Sequence, residues 1–364
     1  MTAIFKVSNL GVNYGGKKIL EEVSFSIQEG EIFAVLGPSG AGKTTLLRVL
    51  CCLEKPSSGE IFFKGVNMLK ARGRELLSLR RRMAMVFQEG EVFNASVYDN
   101  VAYGLKIRGV EKQEIGRRVR DALEIVGLKG YEARNARTLS GGEKQRVTFA
   151  MAAVIRPEVL LFDEPTANLD PLNEAVIDGI IERINRLGIT VILATHKQGE
   201  ALTLANRVGI LNKGRFEQVG TPEEIFYKPA TPFVARFVGV ENILEGVISS
   251  LGEDSSIINV DGLELRVPSV RGRVGDRVTL CIRPEEIMIL REDVPRKREY
   301  PNVVSGRIAR MSPQGKALVR LLLEVGDKGL VVDLPRHAAG VMKLEVGKVV
   351  KASLKPESCH VIPD

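Results

Sequence analysis

The sequence has no apolar run approaching the ~18 residues needed to cross a bilayer, so a membrane-spanning chain is not expected. It opens Met1-Thr2-Ala3-Ile4-Phe5-Lys6-Val7, a strand-like stretch without the long apolar region of a signal peptide. Export by that route is not expected either. Cysteine is scarce: Cys51, Cys52, Cys281 and Cys359 have no metal-ligand spacing, and the first two are neighbours. They read as buried thiols in a reducing cytosol. Aromatic residues make up 5% of the chain, and residues 240–364 hold a single one, Tyr300. Single-stranded nucleic acids are bound on aromatic platforms, so no nucleic-acid partner is expected. Net charge is +7. Its densest runs, Arg80-Arg81-Arg82 and Arg296-Lys297-Arg298, have few aromatics among them and read as solvated faces. What is present is an ordinary globular mixture, 44% hydrophobic and 27% charged over 364 residues, enough for two domains.

The most informative stretch is Gly37-Pro38-Ser39-Gly40-Ala41-Gly42-Lys43-Thr44-Thr45. It follows an apolar run, Ile32 to Leu36, and precedes a helical pattern, Leu46 to Cys52. Strand, glycine-rich loop and helix together make the context in which G-x-x-x-x-G-K-[ST] is a phosphate site. Glycines let successive N–H groups turn inward as an anion nest, and the helix presents its positive end. Lys43 can reach the terminal phosphates of ATP, and the Thr44 hydroxyl can ligate Mg²⁺. Downstream, Val159-Leu160-Leu161-Phe162-Asp163-Glu164 reads as a buried strand ending in two carboxylates. Asp163 suits Mg²⁺, and Glu164 is placed to orient or deprotonate the attacking water.

Residues 1–235 alternate strand and helix patterns and predict an α/β P-loop domain. Val23–Ile27 and Ile61–Phe63 alternate with period two and suit an antiparallel sheet. Ile32–Leu36, Met83–Phe87, Val159–Phe162, Val191–Ala194 and Val208–Leu211 are short and apolar, as in a sheet covered on both faces. Helical patterns run over Glu111–Val126, Gly142–Val154 and Pro171–Leu187, and residues 89–156 form a largely helical insertion. From 236 to 364 short strand-like runs predict an all-β domain. It repeats internally. Asn242-Ile243-Leu244-Glu245-Gly246-Val247-Ile248 resembles Asn302-Val303-Val304-Ser305-Gly306-Arg307-Ile308, and Ile282-Arg283-Pro284-Glu285 resembles Leu354-Lys355-Pro356-Glu357. Two related β units, packed as a pair and exchanging strands at their ends, are expected.

Leu139-Ser140-Gly141-Gly142-Glu143-Lys144-Gln145-Arg146 closely resembles the signature of ABC-family ATPases. Read alone, Ser140-Gly141-Gly142 is a helix N-cap with flexible residues. The resemblance implies more. In the family this motif completes the ATP site of the partner subunit, so one copy per chain implies a homodimer with two shared sites. Tyr14 matches the aromatic that stacks on adenine. Gln88 matches the glutamine that senses the γ-phosphate and Mg²⁺. Asn168-Leu169-Asp170 matches the loop that touches the opposite subunit, and His196 the histidine that holds the γ-phosphate. The implied fold is a RecA-like core with an antiparallel β subdomain and a helical subdomain. Lys197 and Gly199 depart from the aspartate and glutamate usual there, and Glu143 replaces the commoner glutamine.

The C-terminal part resembles the regulatory OB-like tandem β domain of bacterial and archaeal importer ATPases. Phe237 to Gly246 and Ile282-Arg283-Pro284-Glu285-Glu286 carry that likeness. The segment Asn302 to Ile362 looks most like the molybdate/tungstate version, whose β domain can itself bind the oxyanion. Arg336 and Lys355 are kept, whereas Tyr300-Pro301 and His337-Ala338 stand in place of serine-bearing segments. The resemblance implies an ATPase at the cytoplasmic face of the membrane, working with separate permease subunits and, through them, an extracytoplasmic solute-binding protein. Sulfate, polyamine, iron and sugar importers share the domain. A soluble ABC ATPase acting on ribosomes or DNA fits poorly, because translational members usually carry two nucleotide domains. A catalytically dead subunit fits poorly with Lys43, Asp163, Glu164 and His196 all in place.

Overall fold

The computed structural model describes residues 3–88, 90–291 and 300–363. The basic run Arg296-Lys297-Arg298 lies outside the described residues, as do Met1 and Thr2. In chain order the first unit contains β1 (Ala3–Tyr14), β2 (Lys17–Gln28), β3 (Ile32–Leu36), α1 (Lys43–Leu50), β4 (Ser58–Phe63), β5 (Val66–Asn67), α2 (Gly73–Arg81) and β6 (Met83–Val86). It continues with α3 (Val97–Ile107), α4 (Lys112–Ile125), α5 (Gly141–Ala153), β7 (Val159–Asp163), α6 (Pro171–Arg186), β8 (Thr190–Thr195), α7 (Gln198–Leu204), β9 (Arg207–Asn212) and β10 (Arg215–Gly220). α8 (Pro222–Tyr227) begins in the first unit and ends in the second, which then holds α9 (Pro232–Phe237), β11 (Asn242–Ser250), β12 (Ser255–Val260), β13 (Leu263–Pro268), β14 (Arg277–Ile282) and β15 (Ile287–Ile289). It ends with β16 (Val303–Gln314), β17 (Leu318–Val325), β18 (Lys328–Pro335), α10 (Arg336–Val341), β19 (Val349–Leu354) and β20 (Cys359–Pro363).

Two sheets build the first unit. One is antiparallel, in the order β2-β1-β4-β5. The other runs β10-β9-β3-β8-β7-β6 and is parallel apart from its β10 edge. β3 and β7 are buried at every residue, which is why they read as unbroken apolar runs rather than alternating ones. α3, α4 and α5 supply the helical insertion. α3 begins where the Ser96 hydroxyl accepts the Asp99 N–H, a side-chain cap that answers one of the free N–H groups at a helix start.

The chain divides at Glu223/Glu224, ahead of the boundary expected near residue 235. Local packing explains the difference. The Arg283 guanidinium lies 3.4 Å from the Phe226 ring centroid and donates to the Phe226 carbonyl at 2.6 Å. His360 Nε2 donates to the Pro229 carbonyl at 2.9 Å. These contacts join residues 226–229 to the β unit. No cue in the local sequence marks them, because their partners lie far along the chain.

The second unit is a strand-exchanged pair. Its sheets run β13-β12-β11-β14-β20 and β15-β19-β16-β17-β18. Each repeat makes four strands of its own sheet and sends its last strand to the other: β15 pairs with β19, and β20 with β14. The two asparagines that open the repeats lock the exchange. Asn242 accepts the Val331 N–H at 2.7 Å and donates to the Val331 carbonyl at 2.9 Å. Asn302 does the same to Arg266, at 2.7 Å both ways. Both are 2% exposed, and their buried amides answer a backbone N–H and carbonyl of the other repeat. A shared core of Leu244, Ile258, Leu265, Leu280, Ile308, Leu321, Leu323 and Val332 fills the interior.

Candidate functional site

Register in the parallel sheet decides where the chemistry gathers. Leu36 pairs with Thr195, Asp163 with Ala194, and Val86 with Phe162. The carboxyl ends of β3, β8, β7 and β6 therefore share one edge, where parallel α/β sheets bind ligands. The loop 37–42, His196, the Asp163-Glu164 pair and Gln88 all leave from that edge.

Backbone shape makes the loop specific to glycine. A Cβ on Gly37 would lie 2.1 Å from the Leu211 carbonyl oxygen. Gly42 has φ 107°, and a Cβ there would meet Leu20 Cδ2 at 2.8 Å. Gly42 caps α1 without a side-chain hydrogen bond, and no acidic residue sits in the first turn. The positive helix end is thus left open to an anion. Pro38, Ser39, Gly40 and Ala41 complete the turn, and Thr44 and Thr45 begin the helix. Lys43 is 7% exposed; its ammonium donates to the Gly37 carbonyl at 2.8 Å and the Pro38 carbonyl at 3.3 Å.

Two carboxylates converge on Lys43 and Thr44, and His196 closes on one of them. The Thr44 hydroxyl donates to Asp163 Oδ1 at 3.0 Å. Lys43 Nζ lies 3.3 Å from Glu164 Oε1. His196 Nδ1 lies 2.7 Å from Glu164 Oε2, and the His196 main-chain N–H reaches the same oxygen at 3.3 Å. Glu164 has φ 49°, a left-handed turn at the strand end, and its N–H is held by the Ala194 carbonyl at 2.8 Å. Asp163 is 5% exposed, and its carboxyl is pushed above the usual range, first by burial and then by the Glu164 charge. The Thr44 hydroxyl, Lys43 and Arg48 oppose that rise. A buried carboxylate beside a hydroxyl is a hard-oxygen pair, the donor set that Mg²⁺ takes.

The remaining candidates fall elsewhere. Ser140 opens α5 in a capping box: its hydroxyl accepts the Glu143 N–H, and Glu143 accepts the Ser140 N–H at 2.9 Å. Asp170 caps α6, accepting the N–H groups of Leu172 and Asn173 at 3.1 Å. The two helix starts are neighbours, since a Cβ on Gly142 would lie 2.9 Å from Asn173 Oδ1; Gly141 precedes it in the same turn. Among the described residues, no hydrogen bond of Ser140 or Asp170 reaches Lys43, Thr44, Asp163, Glu164 or His196. Tyr14 is 47% exposed, and its hydroxyl donates to Glu54. Gln88 is exposed, two residues past β6.

In the β unit, Arg336 and Lys355 do not form one site within the chain. Lys355 follows Leu354, whose N–H bonds the Asn302 carbonyl beside the start of β16. Arg336 bonds the Ala317 carbonyl beyond its far end. β16 has 12 residues. At ~3.3 Å per residue that is a path of roughly 36 Å. Tyr300 and Pro301 lie at the Lys355 end and His337 at the other.

Two features escaped the sequence. A layer of Thr166, Glu174, Asp178, Lys197 and Glu200 sits behind the 164–170 loop; the lysine in place of the usual aspartate was its one visible signal. An apolar groove of about 530 Å³ is lined by Met85, Phe87, Thr148, Met151 and Ile155. Its residues come from β6 and α5, distant in sequence.

Residues 20–167 match the family described as ABC transporter, and residues 280–362 match the TOBE domain. A molybdate/tungstate import ATP-binding protein, WtpC of Pyrococcus horikoshii, is 38% identical over 362 residues, spanning 99% of this chain and 100% of that protein. The chain belongs to the ABC transporter ATP-binding subunits. It is therefore an ATPase, binding ATP with Mg²⁺. A spermidine/putrescine import ATP-binding protein, PotA of Rubrobacter xylanophilus, is 36% identical over 363 residues, spanning 98% of this chain and 93% of that one. The dimeric ATP-binding cassette MJ0796, solved in a post-hydrolysis state bound to ADP and Pi, is 28% identical with a TM-score of 0.56. It covers 60% of this chain and 98% of that one. No helix among the described residues is long and apolar enough to cross a membrane.

Proposed function

We propose that two copies of this chain clamp on ATP at the cytoplasmic face of the membrane and drive a separate permease that imports a small oxyanion of the molybdate/tungstate type. The observation that carries the hydrolytic part is the Lys43–Glu164–His196 constellation. Both Glu164 oxygens are held by groups that a γ-phosphate would attract. Lys43 and His196 turn to the phosphate oxygens, and Glu164 is released to take the proton of the attacking water. Water oxygen bonds the γ-phosphorus as its bond to the ADP oxygen breaks. Thr44 and Asp163 would hold Mg²⁺, which supplies positive charge to the phosphate oxygens. Ser140, Gly141 and Gly142, set apart from this cluster, serve the partner's nucleotide, and Asp170 lies at the same junction. Tyr14 stacks on adenine.

The groove beside Gln88 supports permease docking. Phe87 is 44% exposed there, apolar surface that a short permease helix would cover. The cargo reading rests on the full-length likeness to WtpC and on the C-terminal segment. Polyamine import is the second reading, favoured by the almost equal likeness to PotA. Calorimetric titration of tungstate, molybdate, sulfate and spermidine into the full chain tests it. Saturable binding of tungstate or molybdate over sulfate supports the oxyanion reading; binding of spermidine alone overturns it.

A further inference from the structure

Lys197 stands where related importers usually carry aspartate, yet its side chain is only 26% exposed. Its ammonium donates to the Thr166 carbonyl at 2.8 Å and pairs with Glu174 on α6. Its main-chain N–H bonds the Thr195 hydroxyl at 3.0 Å. Behind it, the Thr166 hydroxyl donates to Glu200 Oε1 at 3.0 Å. Glu200 is 7% exposed, and its other oxygen has no partner; neither has Oδ1 of Asp178. Burial is the main cause that lifts the Glu200 carboxyl to about 6, with Asp178 adding to it. Asp178 is likewise lifted to about 6, by burial and by Glu174 and Glu182. The Thr195 and Thr166 hydroxyls oppose the Glu200 shift, with Lys197 adding to them, and Lys197 opposes that of Asp178. The Lys197 ammonium is thus the cation set among a carbonyl oxygen and three acids, Glu174, Asp178 and Glu200.

We propose that Lys197 is a positioning residue that ties the loop from Thr166 to Asp170 to the strand end carrying His196. Two segments that leave different strands then keep one spacing, so Glu164, His196 and the start of α6 move together. The inference rests on the ATP-site assignment made above, with Glu164 and His196 as its hydrolytic pair.

The test uses the full chain and steady-state phosphate release with Lys197→Met, Lys197→Arg and Glu174→Gln. Lys197→Met should lower kcat about tenfold and leave the KM for ATP within about twofold, because Lys43 and Thr44 are untouched. Lys197→Arg keeps a charged donor for both Thr166 and Glu174, and should recover kcat to within about threefold. A kcat within twofold of wild type in Lys197→Met overturns the proposal, as do equal losses in Met and Arg, or a loss carried by KM rather than kcat. Should Lys197→Met fail to fold, Glu174→Gln decides: a reduced kcat at constant KM supports the tie, and an unchanged kcat overturns it. Glu164→Gln run alongside separates the two assignments. If it turns over like wild type, the site reading fails; if it is inactive while Lys197→Met is normal, only the tie fails.

Discussion

Glu164 and His196 are joined twice: imidazole Nδ1 and main-chain N–H both meet Glu164 Oε2, at 2.7 and 3.3 Å. The other oxygen is 3.3 Å from Lys43. The carboxylate, at the end of β7, is therefore positioned by two residues from other segments, His196 after β8 and Lys43 at the start of α1. Glu164→Gln keeps the shape and removes the basic oxygen. Phosphate release should fall at least ~100-fold while ATP still binds, a size common for loss of a general base. Parallel phosphate-release and nucleotide-binding assays check this.

The charge at Glu143 is a second target. Its carboxyl is held below the usual range, first by the Ser140 N–H and then by the Ser140 hydroxyl, so it is ionised beside a proposed anion site. Glutamine keeps the capping box and removes that charge. Glu143→Gln should lower the KM for ATP by about two- to fivefold, a shift under ~1 kcal/mol. Ser140→Ala, in contrast, loses the cap and should raise KM.

Asp178 and Glu200 predict a pH effect on stability. Both carboxyls titrate near 6 when folded, above their ordinary values of 3.8 and 4.5. The folded chain binds more protons than the unfolded one between those limits, so these groups lose stability as pH rises through about 6. Glu200→Gln removes the penalty and can still accept the Thr166 hydroxyl. It should stabilise the first unit by about 1–2 kcal/mol at pH 8 and by little at pH 4.5. Thermal melts at the two pH values measure the difference.

Much of this was legible. The strand–loop–helix around Lys43 and the acidic strand end at Asp163 follow from local pattern, because each is a contiguous segment with its own period. The repeat led by Asn242 and Asn302 was legible too, including the exchange of end strands. Long-range pairings were not. Arg283 packs on Phe226, far upstream, and β16 sets Lys355 and Arg336 at opposite ends, although the sequence shows only that both are kept. Lys197 was visible as an odd residue, but its partners Thr166 and Glu174 lie on other elements.

The two clamping asparagines predict how the β unit fails. Asn242→Ala strands the Val331 N–H and carbonyl inside the exchange and should cost about 2–3 kcal/mol. Asn302→Ala should cost a similar amount through Arg266. Each should melt the C-terminal unit early while leaving ATP binding by the first unit in place, which calorimetry of the full chain resolves.

The central claim is that each ATP site is built from two chains. The direct measurement is the mass of Glu164→Gln in solution by light scattering, with and without ATP and Mg²⁺. The account predicts a monomer without nucleotide, a dimer with it, and no dimer when Ser140→Ala is added. A Glu164→Gln chain that stays monomeric with saturating ATP while the wild type hydrolyses it would contradict the account.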